Sequence, residues 1–242
     1  MNISDYPATK KKIFMTACKL FSQKCYADVG IREIATEAGV KVPTVYNHYP
    51  SKEAILEDLF SLYSERMSRF FNRMGNMDYD QNPLDCFKKM MFFDMEGDEA
   101  ELMRQLMRIV LTEQHRSPTA ARVIYDISLR AAKKNYYDFL AYLKNKGMIR
   151  CEEIDSLAEV FARLGITFAM QLARDDEYDR RPDYDTILLD MFNLILSFPV
   201  ESNRDRKERQ PQYNGYVNAY PVLENRIEEV PQTGLQYNPT YM

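Results

Sequence analysis

The sequence contains few of the residue types on which common active sites depend. Its 242 residues include no tryptophan, eight glycines and two histidines, His48 and His115. Two histidines leave little material for a His-rich metal site or for paired-histidine chemistry, and no glycine-rich string of the common nucleotide-binding kinds occurs. We therefore expect no metal and no cofactor. Since no nucleophile, base and orienting group can be nominated, we also expect no enzyme.

Cysteines and long apolar runs are scarce as well. Cys18, Cys25, Cys86 and Cys151 show no C-x-x-C spacing, and a chain of this length does not need disulfides for stability. No stretch approaches the roughly 20 apolar residues of a membrane-spanning helix. Residues 1–12 are polar and do not resemble a signal peptide. These absences predict a soluble, cytoplasmic protein with no membrane partner.

Charge is distributed unevenly along the chain. The net charge is −4, yet residues 1–52 hold eight Lys and Arg against four Asp and Glu, so the remainder carries an excess of acid. A basic N-terminal segment on an acidic body points to a polyanionic partner that contacts this segment alone. A chance clustering of lysines on a solvated helix explains the same count equally well.

The apolar residues of the N-terminal segment repeat at the period of an α-helix. A first amphipathic helix is predicted over about 8–25. A second begins at Ile31 and ends at Gly39, the residue type that most readily forms a left-handed cap. A third short helix begins near Pro43, because proline is tolerated in a first helical turn, and Pro50 stops it.

The rest of the chain also has a helical pattern. Ser51 is placed to cap a long fourth helix that ends at Gly75. Two capping residues followed by proline, Asn82-Pro83 and Ser117-Pro118, mark further helix starts. Two more helices are predicted at about 152–174 and 183–198. No segment alternates for long enough to predict a strand, so the predicted fold class is all-α.

These features divide the chain into three parts. Residues 1–52 form a predicted helix-turn-helix domain, and residues 53–198 a larger helical domain for effector binding and dimerisation. Residues 199–242 hold five of the eleven prolines and five of the seventeen tyrosines, with no helical stripe. This composition is typical of a linker-like tail, although its tyrosines are also able to dock on a surface in extended form.

A helix, a short helix, a glycine turn and a second short helix make the layout in which that second short helix enters the DNA major groove. On a helix from Pro43, Thr44, Asn47 and His48 share one face. Asparagine can make a bidentate contact to adenine, and threonine offers a hydroxyl and a methyl group. Tyr46 and His48 are able to reach phosphate oxygens.

The residues from Ile34 to Glu53 resemble the signature of the TetR family of bacterial transcription regulators. The I-A-x-x-A-G-V run, the T-[LV]-Y-x-H-[FY] core and the S-K-E exit occur together and in register. The similarity covers roughly residues 10–55. The later helices agree with the family's larger domain in number and order only.

The resemblance implies an all-helical homodimer that binds a palindromic DNA operator and is released from it by a small-molecule effector, most often as a repressor. Three N-terminal helices would bind DNA, and the last two long helices would dimerise. Carried over by position, phosphate contacts would come from Tyr46, His48 and Lys52. Contacts to bases or the adjoining backbone would come from Lys41, Val42, Pro43, Thr44 and Asn47.

Two positions depart from the family pattern. Val29-Gly30 stand where the second helix usually starts with Thr or Ser, so a hydroxyl cap is absent. Pro43 stands where a small residue is usual, which changes the detailed base readout.

Residues for the effector and for the partner copy are chosen from the Met, aromatic and apolar stripes. Soft methionines and aromatic rings suit an apolar pocket, and we select Phe93, Met103, Met107, His115, Tyr136 and Phe168. The penultimate and last helices are apolar on more than one side, so a second copy is a natural cover. For the dimer interface we select Phe161, Phe168, Leu188, Phe192 and Ile195.

A second function remains open. A protein of this fold could act mainly through a protein–protein contact, with the Tyr-rich tail or the acidic body as the docking surface and DNA binding only as an anchor.

Overall fold

Helices make up the computed structural model, which describes residues 3–91, 97–151, 153–172 and 183–197. Within these ranges there is no strand. The N-terminal helices are α1 (Ala8–Gln23), α2 (Ile31–Glu37) and α3 (Val42–His48), followed by the long helix α4 (Lys52–Gly75). The predicted all-α fold is therefore confirmed.

The remaining described helices form the larger part of the protein. They are α5 (Pro83–Met91), α6 (Gly97–Glu113), α7 (Pro118–Arg122), α8 (Arg130–Asn145), α9 (Ile154–Leu172) and α10 (Tyr184–Ser197). A π-helical segment, Val123–Leu129, joins α7 to α8. One long helix was predicted after Ser117, and the widened turns within it are a finding of the structure.

Polar caps begin the helices where the sequence predicts them. The Ser51 hydroxyl accepts a hydrogen bond from the Ala54 amide at 3.2 Å, and Ser117 accepts one from Ala120 at the same distance. The Asn82 side-chain oxygen accepts from the Asp85 amide. Each of these bonds satisfies an amide that has no partner within its own helix.

Two clusters of buried apolar residues hold the helices together. The first joins α1–α3 to the N-terminal two thirds of α4, to α6 and to the π-helical segment. The second joins α5, α8, α9 and α10 around Phe87, whose ring lies 5.5 Å from Phe161, 5.8 Å from Phe192 and 6.1 Å from Phe139 between centroids. Helix α4 passes from one cluster towards the other.

No helix among the described residues is both long and apolar enough to cross a membrane. The same part of the chain holds no group of three or more His, Cys, Asp or Glu side chains placed to bind a metal ion.

Candidate nucleic-acid interface and ligand cavity

The turn between α2 and α3 is fixed by Gly39. Its φ of 59° lies in the left-handed region, which costs a residue with a side chain more than it costs glycine. The Gly39 amide donates to Thr36 O at 3.0 Å, and the Val40 amide donates to Ala35 O at 2.9 Å. This pair of bonds is the Schellman arrangement that closes a helix. The turn therefore sets the angle at which α3 leaves α2.

Helix α3 has an apolar inner side and a polar outer side. Val45 is fully buried and Tyr49, directly after the helix, is 3% exposed. On the outer side, Tyr46 is 51% exposed and Asn47 is exposed too. The side chains of Lys41 and Pro43 are exposed, whereas those of Val42, Thr44 and His48 are half-buried. Apart from Lys52 of α4, the predicted DNA-contacting residues thus lie on α3 or directly before it.

A carboxylate in α4 ties this helix to the rest of the N-terminal domain. The Tyr6 hydroxyl donates to Asp58 Oδ1 at 2.6 Å, and the Tyr49 hydroxyl donates to Oδ2 at 2.8 Å. Lys10 Nζ lies 3.2 Å from Oδ2 and 3.9 Å from the centroid of the Tyr6 ring. We call Asp58, Tyr6, Lys10 and Tyr49 the Asp58 cluster. It joins the N-terminus, α1, the end of α3 and α4 at one point.

The Asp58 cluster keeps both tyrosines protonated. Burial, followed by the hydrogen bond to Asp58, raises the pKa of Tyr6 and of Tyr49 well above the ordinary value. A hydroxyl that stays protonated goes on donating to the carboxylate, and hydrogen bonds to a charged acceptor are among the stronger ones in proteins. The two hydroxyls therefore remain donors to Asp58 at alkaline pH.

Lys52 makes a second connection at the start of α4. Its Nζ donates to Tyr26 O and to Val29 O, both at 2.9 Å, and lies 4.1 Å from the centroid of the Tyr26 ring. The resemblance predicts a phosphate contact for this lysine. The structure directs two of its three donors to carbonyls of the segment between α1 and α2, which leaves one donor for a phosphate.

Glu53 completes this connection from the other side of Tyr26. The Tyr26 hydroxyl donates to Glu53 Oε1 at 2.8 Å. The backbone amide of Glu53, together with the hydroxyls of Tyr26 and Ser51, lowers the pKa of the Glu53 carboxyl. At the start of α2, Gly30 provides no side-chain cap, as the sequence predicts. Lys52 and Glu53 of α4 thus fix the segment that precedes α2.

A cavity lies between α4, α5, α6, the π-helical segment, α8 and α9. The space between its lining atoms is about 350 Å³, part of it open to solvent. The lining residues are largely apolar, and four are methionine: Met67, Phe70, Phe71, Met90, Met91, Met107, Ser128, Ala132, Tyr136, Ala162, Gly165, Ile166 and Ala169. A mostly apolar cavity with a few polar groups is typical of small-molecule sites.

The cavity includes only some of the residues selected from the sequence. Met107 and Tyr136 line it. Met103 is buried in the first apolar cluster, Phe168 packs on the second cluster, and His115 is exposed in the turn after α6. These three residues do not line this cavity, because a stripe on one helix does not show which neighbour it faces, and their role at an effector site stays a prediction. Phe93 lies outside the described residues.

The residues selected for a dimer interface are also placed differently. Leu188, Phe192 and Ile195 of α10 and Phe161 of α9 are at most 6% exposed within the single chain. Phe168 is half-buried against the same cluster. These side chains pack in the protomer's own core, and their role at a dimer interface stays a prediction. In the described parts of α9 and α10, the exposed large apolar residues are instead Val160, Leu164, Met170, Leu189 and Leu194.

Comparisons with known proteins agree with this arrangement. Residues 13–59 match the family model for bacterial regulatory proteins of the tetR family. The HTH-type transcriptional regulator YerO of Bacillus subtilis is 34% identical over 83 residues, which are 33% of this chain and 28% of YerO. The chain covers between 22% and 60% of the curated relatives that it matches.

Solved structures extend the similarity beyond the N-terminal domain. A tetR-family regulatory protein from Rhodococcus has a TM-score of 0.58 and 19% identity, over 79% of this chain and 96% of that one. A transcriptional regulator from Saccharomonospora viridis, crystallised with choline, has a TM-score of 0.57 and 20% identity, over 80% and 98% respectively. At this identity the likeness shows the fold.

The motif of residues 34–53, the exposed polar side of α3, the matched N-terminal domain and the shared helical fold lead to one conclusion. Residues 13–59 form a DNA-binding helix-turn-helix domain of the tetR family of bacterial regulatory proteins, and the described helices share the fold of solved TetR-family structures.

Proposed function

We propose that the protein is a homodimeric repressor that reads a palindromic operator with α3 and leaves it when a small molecule fills the cavity. The observation that carries this proposal is the two-sided construction of α3. Its inner side is fixed by Val45 and by the Asp58 cluster, and its outer side offers Tyr46 and Asn47 to solvent. A helix that contacts base edges must be fixed in position on one side and exposed to DNA on the other.

In this proposal, different residues contact the bases and the phosphates. Asn47, with Thr44, Val42, Pro43 and Lys41 beside it, reads base edges or the adjoining backbone, because a side-chain amide can pair with adenine. Tyr46 and His48 contact phosphate oxygens. Lys52 supplies its remaining donor to a phosphate and holds the Tyr26 and Val29 carbonyls with the other two.

Helix α4 supplies the link between cavity and DNA. It carries Asp58 near its N-terminus and Met67 and Phe70 in the cavity wall. Nine residues separate Asp58 from Met67, or about 14 Å along the helix axis. A molecule that pushes the cavity end of α4 also moves Asp58 and, through the Tyr49 hydroxyl, the end of α3. Release of DNA requires only that the two states bind it differently.

A second copy of the chain would cover the outer faces of α9 and α10. Val160 and Leu164 lie one turn apart on α9 and are 50% and 36% exposed, and Leu189 and Leu194 of α10 are 42% and 60% exposed. Both helices pack on the second apolar cluster, and exposed apolar side chains on their outer faces mark an interaction surface. A two-fold axis would place Val160 and Leu164 on their counterparts in the second copy. Half-site centres would then lie about one to one and a half helical turns apart.

Selection of bound sequences from random duplex DNA by the purified full-length protein tests this proposal. An inverted repeat is expected, and a salt titration on it gives a steep slope because phosphate contacts release counterions. Recovery of no preferred sequence contradicts the proposal.

A further inference from the structure

The hydroxyl of Ser128 points in an unusual direction for a helical serine. Hydroxyls within helices commonly donate to the carbonyl four residues earlier. Five do so in the described part of this chain: Thr36, Ser61, Ser64, Thr112 and Thr167. Among the described residues the partner of Ser128 Oγ is instead the Tyr63 hydroxyl, 3.5 Å away.

The π-helical segment accounts for this direction. Ser128 lies within Val123–Leu129, and at its end the Arg130 amide donates to Tyr125 O, five residues earlier. A turn widened by one residue rotates the following side chains relative to an α-helix, and such segments frequently occur at functional sites. The rotation places Ser128, which is 3% exposed, in the cavity wall.

The two buried hydroxyls are only weakly satisfied. The Tyr63 hydroxyl lies 3.2 Å from Met107 Sδ, a weak acceptor, and 3.5 Å from Ser128 Oγ. Good O–H···O bonds are about 2.7–2.8 Å long. Burial raises the pKa of Tyr63, so this hydroxyl stays neutral. A ligand oxygen near Ser128 would supply the stronger bond that the pair lacks.

The rest of the described wall sets the charge of the ligand. None of the described lining residues carries a formal charge. The other lining hydroxyl, on Tyr136, already donates to Met90 O at 3.0 Å. A charged ligand would lose its hydration without gaining an opposite charge, which is costly. Four flexible methionines allow the wall to adapt to the shape of an apolar ligand.

We infer that the cavity takes a neutral, mostly apolar molecule with a single hydroxyl or carbonyl group, which hydrogen-bonds to Ser128. Ser128 is then the residue that distinguishes such a molecule from a pure hydrocarbon of the same shape. The inference rests on the proposed role of the cavity as the effector site.

Three probes of nearly equal size test the inference. They are 4-propylphenol, its methyl isostere 4-propyltoluene and the anion 4-propylbenzoate. Each displaces the neutral fluorophore N-phenyl-1-naphthylamine from the full-length protein without DNA. The phenol is expected to bind most tightly and the benzoate most weakly. Tightest binding by the benzoate, or no displacement by any of the three, overturns the inference.

Substitutions then locate the hydrogen bond. Ser128→Ala is expected to lower the affinity for 4-propylphenol about 3- to 10-fold, which is the effect of one hydrogen bond. The affinity for 4-propyltoluene should change by no more than about twofold. Ser64→Ala is the matched control, since its hydroxyl donates to Phe60 O in its own helix. An equal loss of phenol affinity in both variants overturns the inference.

A cavity-filling variant gives an independent check. A Cβ at Gly165 would lie 3.4 Å from Tyr136 Oη, so Gly165→Val extends into the cavity and is expected to weaken phenol and toluene alike. If the affinities for both probes are unchanged, the probes do not bind in this cavity. Release of the operator by 4-propylphenol is measured separately. If the phenol binds but does not release the operator, the proposed effector role of the cavity is contradicted, while the inferred ligand class still holds.

Discussion

The DNA-binding end and the cavity region of this protein are held by different interactions. Around α3, charge-assisted hydrogen bonds meet at Asp58 and at Lys52. Around the cavity, methionines and aromatic rings pack with few polar contacts. Hydrogen bonds fix direction, whereas methionine packing adapts to the shape of its neighbours. The surface proposed to match DNA is thus rigidly held, and the wall proposed to receive a ligand is deformable.

The largest expected effect is a loss of dimer affinity when a charge is placed on the outer face of α9. Leu164→Glu places a carboxylate at the proposed two-fold contact, and symmetry places it there twice. The dimer dissociation constant is expected to rise about 100-fold or more, because an unpaired buried charge is costly. Sedimentation velocity measures the change. Met148→Glu, at a residue 41% exposed after α8, is the control, and equal weakening by both variants contradicts this interface.

Breaking the Asp58 cluster is expected to have a somewhat smaller effect, which is a loss in the free energy of unfolding. Asp58→Ala removes the acceptor of two tyrosine hydroxyls and the partner of Lys10. The free energy of unfolding should fall by about 2–3 kcal/mol, as for other hydrogen bonds to charged groups. In the cavity region, Tyr136→Phe removes one neutral bond and should cost about 1 kcal/mol. Urea unfolding compares them, and an equal or larger loss for Tyr136→Phe would remove the contrast between the two regions.

Substitutions of Lys52 and Lys41 distinguish a lysine that holds the segment before α2 from a lysine that only contacts DNA. Lys52→Ala removes the lysine donor from the Tyr26 and Val29 carbonyls, and Tyr26 O keeps only the bond of 3.4 Å from the Val29 amide. The free energy of unfolding should fall by about 1–2 kcal/mol. Lys41→Ala removes an exposed cation and should leave stability unchanged. Salt titrations on DNA check the same pair. Unchanged stability in Lys52→Ala, with a flatter salt slope than in Lys41→Ala, would make Lys52 a DNA contact alone.

The smallest effect is a pH dependence at Glu53. Its carboxyl has a lowered pKa in the folded protein, so its stabilisation is present above the unfolded pKa of about 4.3 and is lost as the pH falls through the lower, folded value. Glu53→Gln should therefore flatten the decline of stability in acid. Glu57→Gln, at an exposed position of α4, is the control, and an identical flattening would contradict the assignment.

The N-terminal helices could be predicted from the sequence because their signals are local. Gly39, Pro50 and Ser51 each act within a few residues, so the ends of α1–α4 differ from the predicted ends by at most two residues. The Asp58 cluster could not be predicted, since Tyr6 and Asp58 are 52 residues apart. The available signal was the position of Asp58, which falls on the same helical side as the buried Ile55 and Leu59 of α4.

The cavity lining and the proposed dimer surface were less predictable for a related reason. Helices α9 and α10 are apolar on two sides, and the sequence does not show which side faces the protomer's own core. Phe161 and Phe192 turn inward to Phe87, while Val160 and Leu194 turn outward. The π-helical segment that directs Ser128 has no sequence signature among the capping and periodicity rules.

The central claim is that α3 reads bases, and the ratio of operator to random-DNA affinity in Asn47→Ala tests it most directly. Loss of a bidentate base contact should lower operator affinity by about 1–3 kcal/mol and leave random-DNA affinity nearly unchanged, so the ratio falls about tenfold or more. Equal losses on both DNAs, with the ratio preserved, would contradict the account.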